Sequence, residues 1–250
     1  MNWEQLLSNK RFGLENLHEH RKEDRTEFQR DYDRLIFSAP FRRLQNKTQV
    51  FPLPGSIFVH NRLTHSLEVS CVGRSLGNKI STELLKLHPE LHHTHISEIG
   101  SIVAAACLAH DLGNPPFGHS GEKAIGTYFS EGKGRMLQNA FSPQEWDDFT
   151  HFEGNANAFR LLTHQFQGRR PGGFVLTYAT LASIVKYPFS SQLAGSKQKF
   201  GFFLSEEAGF CKIAHELGLK QISREGEPLR FCRHPLVYLV EAADDICYQM

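Results

Sequence analysis

Ile102-Val103-Ala104-Ala105-Ala106-Cys107-Leu108-Ala109-His110-Asp111-Leu112-Gly113-Asn114-Pro115-Pro116 is the stretch on which the reading of this 250-residue chain turns. It opens with an unbroken apolar run, an imidazole and a carboxylate follow side by side, and a glycine and two prolines then stop a helix from continuing. A buried helix is therefore predicted to end at His110-Asp111. Successive helical side chains point about 100° apart, so the pair can face one centre only where the backbone relaxes at a helix end. His65 upstream and Asp244 near the C-terminus complete a spaced H…HD…D set, drawn from separate helices, that could close around one divalent ion and clamp the bundle. Two imidazoles and two carboxylates leave room for water on an octahedral ion, a mix better suited to manganese, iron or magnesium than to a closed structural zinc site.

A 40% hydrophobic chain of this length can build a sizeable core. The net charge of +1 combines 28 basic with 27 acidic residues, so overall charge gives no argument for nucleic acid, and local clusters such as Arg42-Arg43 and Arg169-Arg170 read as solvated surface. Five cysteines, odd in number and without a CxxC pair, speak against a disulfide framework and a thiolate zinc site. The N-terminus, Met1-Asn2-Trp3-Glu4-Gln5, lacks a signal-peptide pattern, and no apolar run spans a bilayer, so a cytoplasmic protein is expected. His88, His92, His93 and His95 crowd a polar interhelical stretch and read as surface residues.

Apolar residues recur mostly at helical spacing, which makes the chain all-α with at most a small β-hairpin. Helices are expected over Arg25 to Phe37, Leu63 to Leu85, Ser97 to His110, Gly121 to Phe129, Phe152 to Leu162, Leu176 to Val185, Ser205 to Leu217 and Leu236 to Tyr248. In the second, Leu67, Val69, Val72, Leu76 and Ile80 supply an apolar face, and in the third Ser97 is placed as the cap. Glu131 to Asp148 reads as a charged, polar connection and Ser190 to Gly201 as a loop, while Ile222 to Phe231 is the candidate hairpin. The whole of 1–250 reads as a single domain, cut short because Met250 falls inside its last helix with nothing to stop it.

Five segments in order resemble the HD-superfamily deoxynucleoside triphosphate triphosphohydrolases, the dGTPase-like family. They are Phe41-Arg42-Arg43-Leu44-Gln45-Asn46-Lys47-Thr48-Gln49-Val50, Asn61-Arg62-Leu63-Thr64-His65-Ser66-Leu67-Glu68-Val69, the run from His110 to Glu122, His151-Phe152-Glu153-Gly154-Asn155, and Glu241-Ala242-Ala243-Asp244-Asp245-Ile246-Cys247-Tyr248. The resemblance implies an HD-domain helical bundle that cleaves a deoxynucleoside triphosphate, dGTP or a relative, at its α-phosphorus to give a deoxynucleoside and intact triphosphate. It implies His65, His110, Asp111 and Asp244 as ligands of one divalent metal, with Asp245 the rival for the fourth place. His119 and Glu122, spaced to meet on one helical face, would transfer and orient a proton. His151 would face the triphosphate or the leaving 5′-oxygen and competes with His119 as general acid.

For substrate contacts, the resemblance implies Arg62 on an α-phosphate oxygen, Gln49 near the nucleoside and Tyr248 against the deoxyribose. It further implies a homo-oligomer and admits single-stranded DNA as a partner. Two other readings stay open: a different HD phosphohydrolase, such as a nucleotidase or phosphodiesterase, and a protein that holds nucleotides or single-stranded DNA without turnover.

Overall fold

The structure is a computed structural model, and it describes residues 2–15, 24–47, 61–168, 171–195 and 198–249. It is all-α. The helices are α1 (Trp3–Leu6), α2 (Glu27–Ile36), α3 (Ala39–Arg43), α4 (Arg62–Leu87), α5 (Ile99–Ala109), α6 (His119–Ser130), α7 (Pro143–Thr150), α8 (Gly154–Thr163), α9 (Tyr178–Ile184), α10 (Leu204–Glu216) and α11 (Val237–Gln249). Short stretches of tighter helix punctuate the connections, two of them, Pro89–His93 and His95–Glu98, between α4 and α5. Among the described residues β structure is confined to isolated bridges.

α5 is the axis of the fold. Every residue from Ile102 to Ala109 is fully buried, as the unbroken apolar run requires, and α2, α4, α9 and α11 pack around it. α4 meets α5 with small residues: its buried positions are Arg62, His65, Ser66, Val69, Ser70, Gly73, Gly77 and Ser81. The expected apolar face of α4 is thus corrected, because Leu67, Val72 and Leu76 are only partly buried and Ile80 is exposed. Small side chains let the two backbones approach, and the hydroxyls of Ser70 and Ser81 donate to Ala104 O at 2.9 Å and Ile96 O at 2.8 Å.

Other expectations shift for local reasons. Ser97 does not cap α5, since a tight turn over His95–Glu98 runs directly into it and Glu98 stands at the cap position without a side-chain bond. Pro40 opens α3 rather than merely ending α2. The supposed connection from Glu131 to Asp148 contains α7, started by a Ser142–Glu145 capping box with Pro143 in its first turn. The candidate hairpin reduces to a turn: Ile222 N–H donates to Arg230 O at 2.8 Å and Gly226 takes the left-handed φ of 83°, but the pairing stops at single bridges.

Two buried polar groups tie the N-terminal segment to the bundle. Arg11 donates to Asp31 Oδ1 at 2.7 Å and Val175 O at 2.6 Å, and Asp31 Oδ2 accepts from the N–H and hydroxyl of Thr177, joining α2 to the start of α9. His234, 1% exposed, lies between Leu6 O at 3.0 Å and Ser183 Oγ at 3.3 Å, just before α11. Burial pushes its imidazole down to about 4, against a partial offset from the Leu6 carbonyl. A folded pKa below the unfolded value means that the unfolded chain takes up the proton first as pH falls. Stability is therefore expected to drop between about pH 6.5 and pH 4, with His234 contributing roughly 3 kcal/mol of that loss. Urea titrations at several pH values check this: His234→Asn, though less stable at pH 7, is expected to show a clearly shallower fall than the unmodified chain.

Candidate metal centre and active site

Three helices bring the H…HD…D set together. His65 lies in the first turn of α4, whose start is set by Asn61 Oδ1 accepting the N–H groups of Leu63 and Thr64, both at 3.0 Å. His110 is the residue on which α5 ends, and Asp111 begins the turn beyond it. That turn packs directly on α8, since a Cβ at Gly113 would lie 2.0 Å from Gly154 O. Asp244 comes from α11.

His65, His110 and Asp111 each offer a ligand atom, and these atoms all lie within 4.8 Å of one another. Asp244 Oδ1 is 2.9 Å from His65 Nε2 and 3.6 Å from His110 Nε2. His110 Nδ1 lies 2.6 Å from Cys107 O, a contact that requires the proton on Nδ1 and leaves the Nε2 lone pair facing the cluster. Asp111 is held from both sides, by Arg62 Nη1 at 2.6 Å from Oδ2 and by Asn114 Nδ2 on Oδ1. The hydrogen bond to Asp244 lifts His65 above the ordinary imidazole range in spite of burial. Burial raises Asp244, but its bond to His65 and the charges of His110, His65 and Lys186 outweigh that and hold it below the usual carboxylate range. Nitrogen and oxygen donors converging with a fixed tautomer fit a divalent cation, which His65, His110 and Asp111 could hold, with Asp244 Oδ1 the candidate for a fourth place.

The cluster opens onto a cavity of about 700 Å³. In its wall His119 Nδ1 lies 2.7 Å from Glu122 Oε2, three residues on along α6 as the spacing predicts. The His119 side chain is 85% exposed and Glu122 only 10%, so the imidazole is presented to solvent while its partner is anchored. Glu122 Oε1 accepts Gly154 N–H at 2.8 Å. Burial raises Glu122, but the His119 bond, the Gly154 N–H and the Lys199 charge outweigh it and leave the carboxyl below the usual glutamate range. A larger cavity, between α2, α3 and residues 161–168 and 173–175, has no imidazole or carboxylate in its wall among the described residues, so volume does not pick out the site.

Of the residues expected from sequence, Arg62, His110, Asp111, His119, Glu122, Asp244, Asp245 and Tyr248 line the cavity. His65 stands behind it, its ring centre 5.5 Å from that of His110 and 6.0 Å from that of Tyr248. His151 is not brought to the wall: it ends α7, with Nδ1 3.0 Å from Asp147 O. From the same segment Glu153 and Asn155 line the cavity instead. Gln49 lies outside the described residues. Sequence reasoning missed Lys186, Tyr187 and Lys199, which also form the wall. Neither lysine belongs to a helix or to a recognisable spacing; the one available signal is that Lys186 follows immediately on the buried α9.

Residues 62–170 match the HD domain family. A helical frame that gathers this histidine and aspartate set at one cavity defines an HD-domain protein. The chain is 49% identical to a deoxyguanosinetriphosphate triphosphohydrolase-like protein of Synechocystis, an alignment that covers 100% of the chain and 58% of that relative. It is 40% identical to a protein of the same description from Listeria innocua, over 99% of the chain and 54% of the relative. With a deoxyguanosinetriphosphate triphosphohydrolase of Yersinia enterocolitica it shares 38% identity over 88% of the chain and 48% of the relative. The chain thus spans about half the length of the curated relatives it matches. Along nearly its whole length it is similar to the deoxyguanosinetriphosphate triphosphohydrolase-like proteins, with the HD domain match inside that similarity. No helix among the described residues is long and apolar enough to cross a membrane.

The geometry separates the two adjacent carboxylates of α11, because Asp244 touches both imidazoles while Asp245 is exposed at the rim. After loading with manganese and dialysis, Asp244→Ala is expected to retain less metal than the unmodified chain, and Asp245→Ala to retain as much. Asp111→Ala is expected to lose the metal and also to melt at lower temperature, since it strips a buried partner from Arg62.

Proposed function

We propose that this chain carries the HD part of a metal-dependent triphosphohydrolase that converts deoxynucleoside triphosphates, dGTP among them, to deoxynucleoside and inorganic triphosphate. One observation carries the reading: the cluster of metal-ligand candidates and the His119–Glu122 pair face the same cavity, with Lys186 and Lys199 in its wall. The relatives described as deoxyguanosinetriphosphate triphosphohydrolases suggest the substrate class. Residues 1–250 are taken as one HD-type phosphohydrolase domain.

A divalent ion, manganese, magnesium or iron, supplies when bound an acidified water and a positive charge for a phosphate oxygen. The chain supplies the rest. Arg62 fixes Asp111 with one arm of its guanidinium, and the other arm, beside Gly118, is the one an α-phosphate oxygen would meet. Lys186 and Lys199 offset the charge of the triphosphate. As the bond from the α-phosphorus to the 5′-oxygen breaks, His119 in its imidazolium form gives its Nε2 proton to that oxygen and is left neutral, while Glu122, accepting Nδ1–H, orients the ring and stabilises the imidazolium beforehand. Of the two histidines weighed for this role, His119 is supported by its place on the cavity wall. Tyr248 at the rim is the candidate to pack on the deoxyribose, where close contact would reject a 2′-hydroxyl. Assembly into a homo-oligomer and contact with single-stranded DNA belong to the same proposal.

Incubating the metal-reconstituted protein with each dNTP and separating the products by anion exchange tests it. Deoxynucleoside and triphosphate together are expected. Pyrophosphate or monophosphate as the main product would replace the reading with another HD phosphohydrolase. Nucleotide binding without turnover would leave a binding protein. His119→Ala is expected to keep its metal and slow turnover by roughly 10²- to 10⁴-fold; full activity in that variant would remove His119 from the mechanism.

A further inference from the structure

Beside His119, two carboxylates share one ammonium. Lys199 Nζ lies 2.7 Å from Glu153 Oε1 and 3.5 Å from Glu122 Oε2. Glu153 is 1% exposed and doubles as the cap of α8, its Oε2 accepting Asn155 N–H at 2.6 Å and its Oε1 accepting Asn155 Nδ2 at 2.8 Å. The preceding N–H, that of Gly154, donates to Glu122. The start of α8 therefore fixes both carboxylates, and Lys199 is brought to them from the loop before α10.

The backbone is strained on both sides of this network. Among the described residues three non-glycines take a left-handed φ, and two of them stand here: Gln198 (φ 51°) immediately before Lys199, and Phe117 (φ 66°) two residues before His119. Such conformations persist where the surroundings over-determine them, and they cluster at functional sites. The groups facing the trio are His119 on α6, Gly154 N–H and the Asn155 amide of α8, and Tyr187 beyond α9. Burial lowers Lys199, but the Glu153 and Glu122 charges outweigh it and hold the ammonium above its ordinary range.

We propose that Lys199 is a positioning residue for the His119–Glu122 pair, an inference that rests on the catalytic role proposed for that pair: shared between Glu122 and Glu153, its ammonium sets how tightly His119 holds its proton. Without Lys199, Glu122 would stand beside a second buried carboxylate with no ammonium shared between them, and like charges at close range strengthen each other's hold on protons. With Glu153 neutral, the ammonium would belong to Glu122 alone and weaken that carboxylate's pull on the imidazole. The two changes act in opposite directions on a histidine that neither residue touches.

Histidine-ring NMR on the whole chain reads this directly, with the His119 signal assigned by its loss in His119→Ala. Lys199→Met is expected to move the His119 midpoint up by about half a pH unit or more. Glu153→Gln, which keeps an acceptor for the α8 cap, is expected to move it down, and Lys199→Arg to leave it near the unmodified value. Shifts of the same sign in the Met and Gln variants, or no shift in either, would overturn the assignment, since general loosening of the fold does not produce opposite signs. In a dNTP turnover assay the kcat–pH profile should move with the NMR midpoint. The titration needs no turnover, so a failed role for Lys199 appears in the NMR and a failed triphosphohydrolase reading appears in the product analysis.

Discussion

A Cβ placed on Gly77 would lie 2.7 Å from Gly100 Cα, and one on Gly73 would lie 2.6 Å from Cys107 Sγ. α4 and α5 can run as close as they do only because these positions carry no side chain. Any larger residue there would push the helices apart and carry His65 away from His110, whose ring centres are 5.5 Å apart. The spacing of the cluster is in this sense a property of the helix contact, set one to three turns away from the imidazoles themselves. α11 then needs only to lie against the same two helices to deliver Asp244, and the buried Ala243 beside it is the small residue that permits this.

The Arg62–Asp111 pair shows how a buried charge is handled in this frame. Both side chains are nearly inaccessible, and a buried ion pair seldom adds much net stability because desolvation offsets its attraction. Its effect is geometric. Arg62 and Asn114 between them take both oxygens of Asp111, so the carboxylate cannot rotate freely. Together with the Cys107 carbonyl on His110 Nδ1, this leaves two donors of the cluster oriented by protein groups alone.

The fold was legible where sequence periodicity and punctuation coincided. The apolar run before His110, closed by a glycine and two prolines, placed both the central helix and its functional end. The spacing of His119 and Glu122 placed a contact that the structure contains. α7 was equally open to reading, since Ser142-Pro143-Gln144-Glu145 is a capping box with a proline at its start, but the charge of the region masked it. The packing face of α4 was hidden for a different reason: helix contacts made by glycine and serine carry no hydrophobic signal, and the leucines that drew attention lie to the side. Lys186, Lys199 and Glu153 were beyond local reasoning, because residues with no periodicity of their own come together only through tertiary folding. His151 and Glu153 mark the limit of motif transfer, for the segment reaches the cavity through its third residue rather than its first.

The directions in which the helices run have a consequence independent of any one side chain. α5 ends at the His110–Asp111 cluster and α4 begins beside it, with Arg62 and His65 in its first turn, whereas α6 and α8 begin at the His119–Glu122 pair, with His119 and Gly154 as their first residues. Peptide dipoles leave a helix partly negative at its end and partly positive at its start, by about half an elementary charge. The backbone therefore favours a cation at the end of α5 and an anion where α6 and α8 start. Charge sorting of this kind is written into the chain's path, so it persists through substitution of the residues that decorate it and changes only if the helices themselves are redirected.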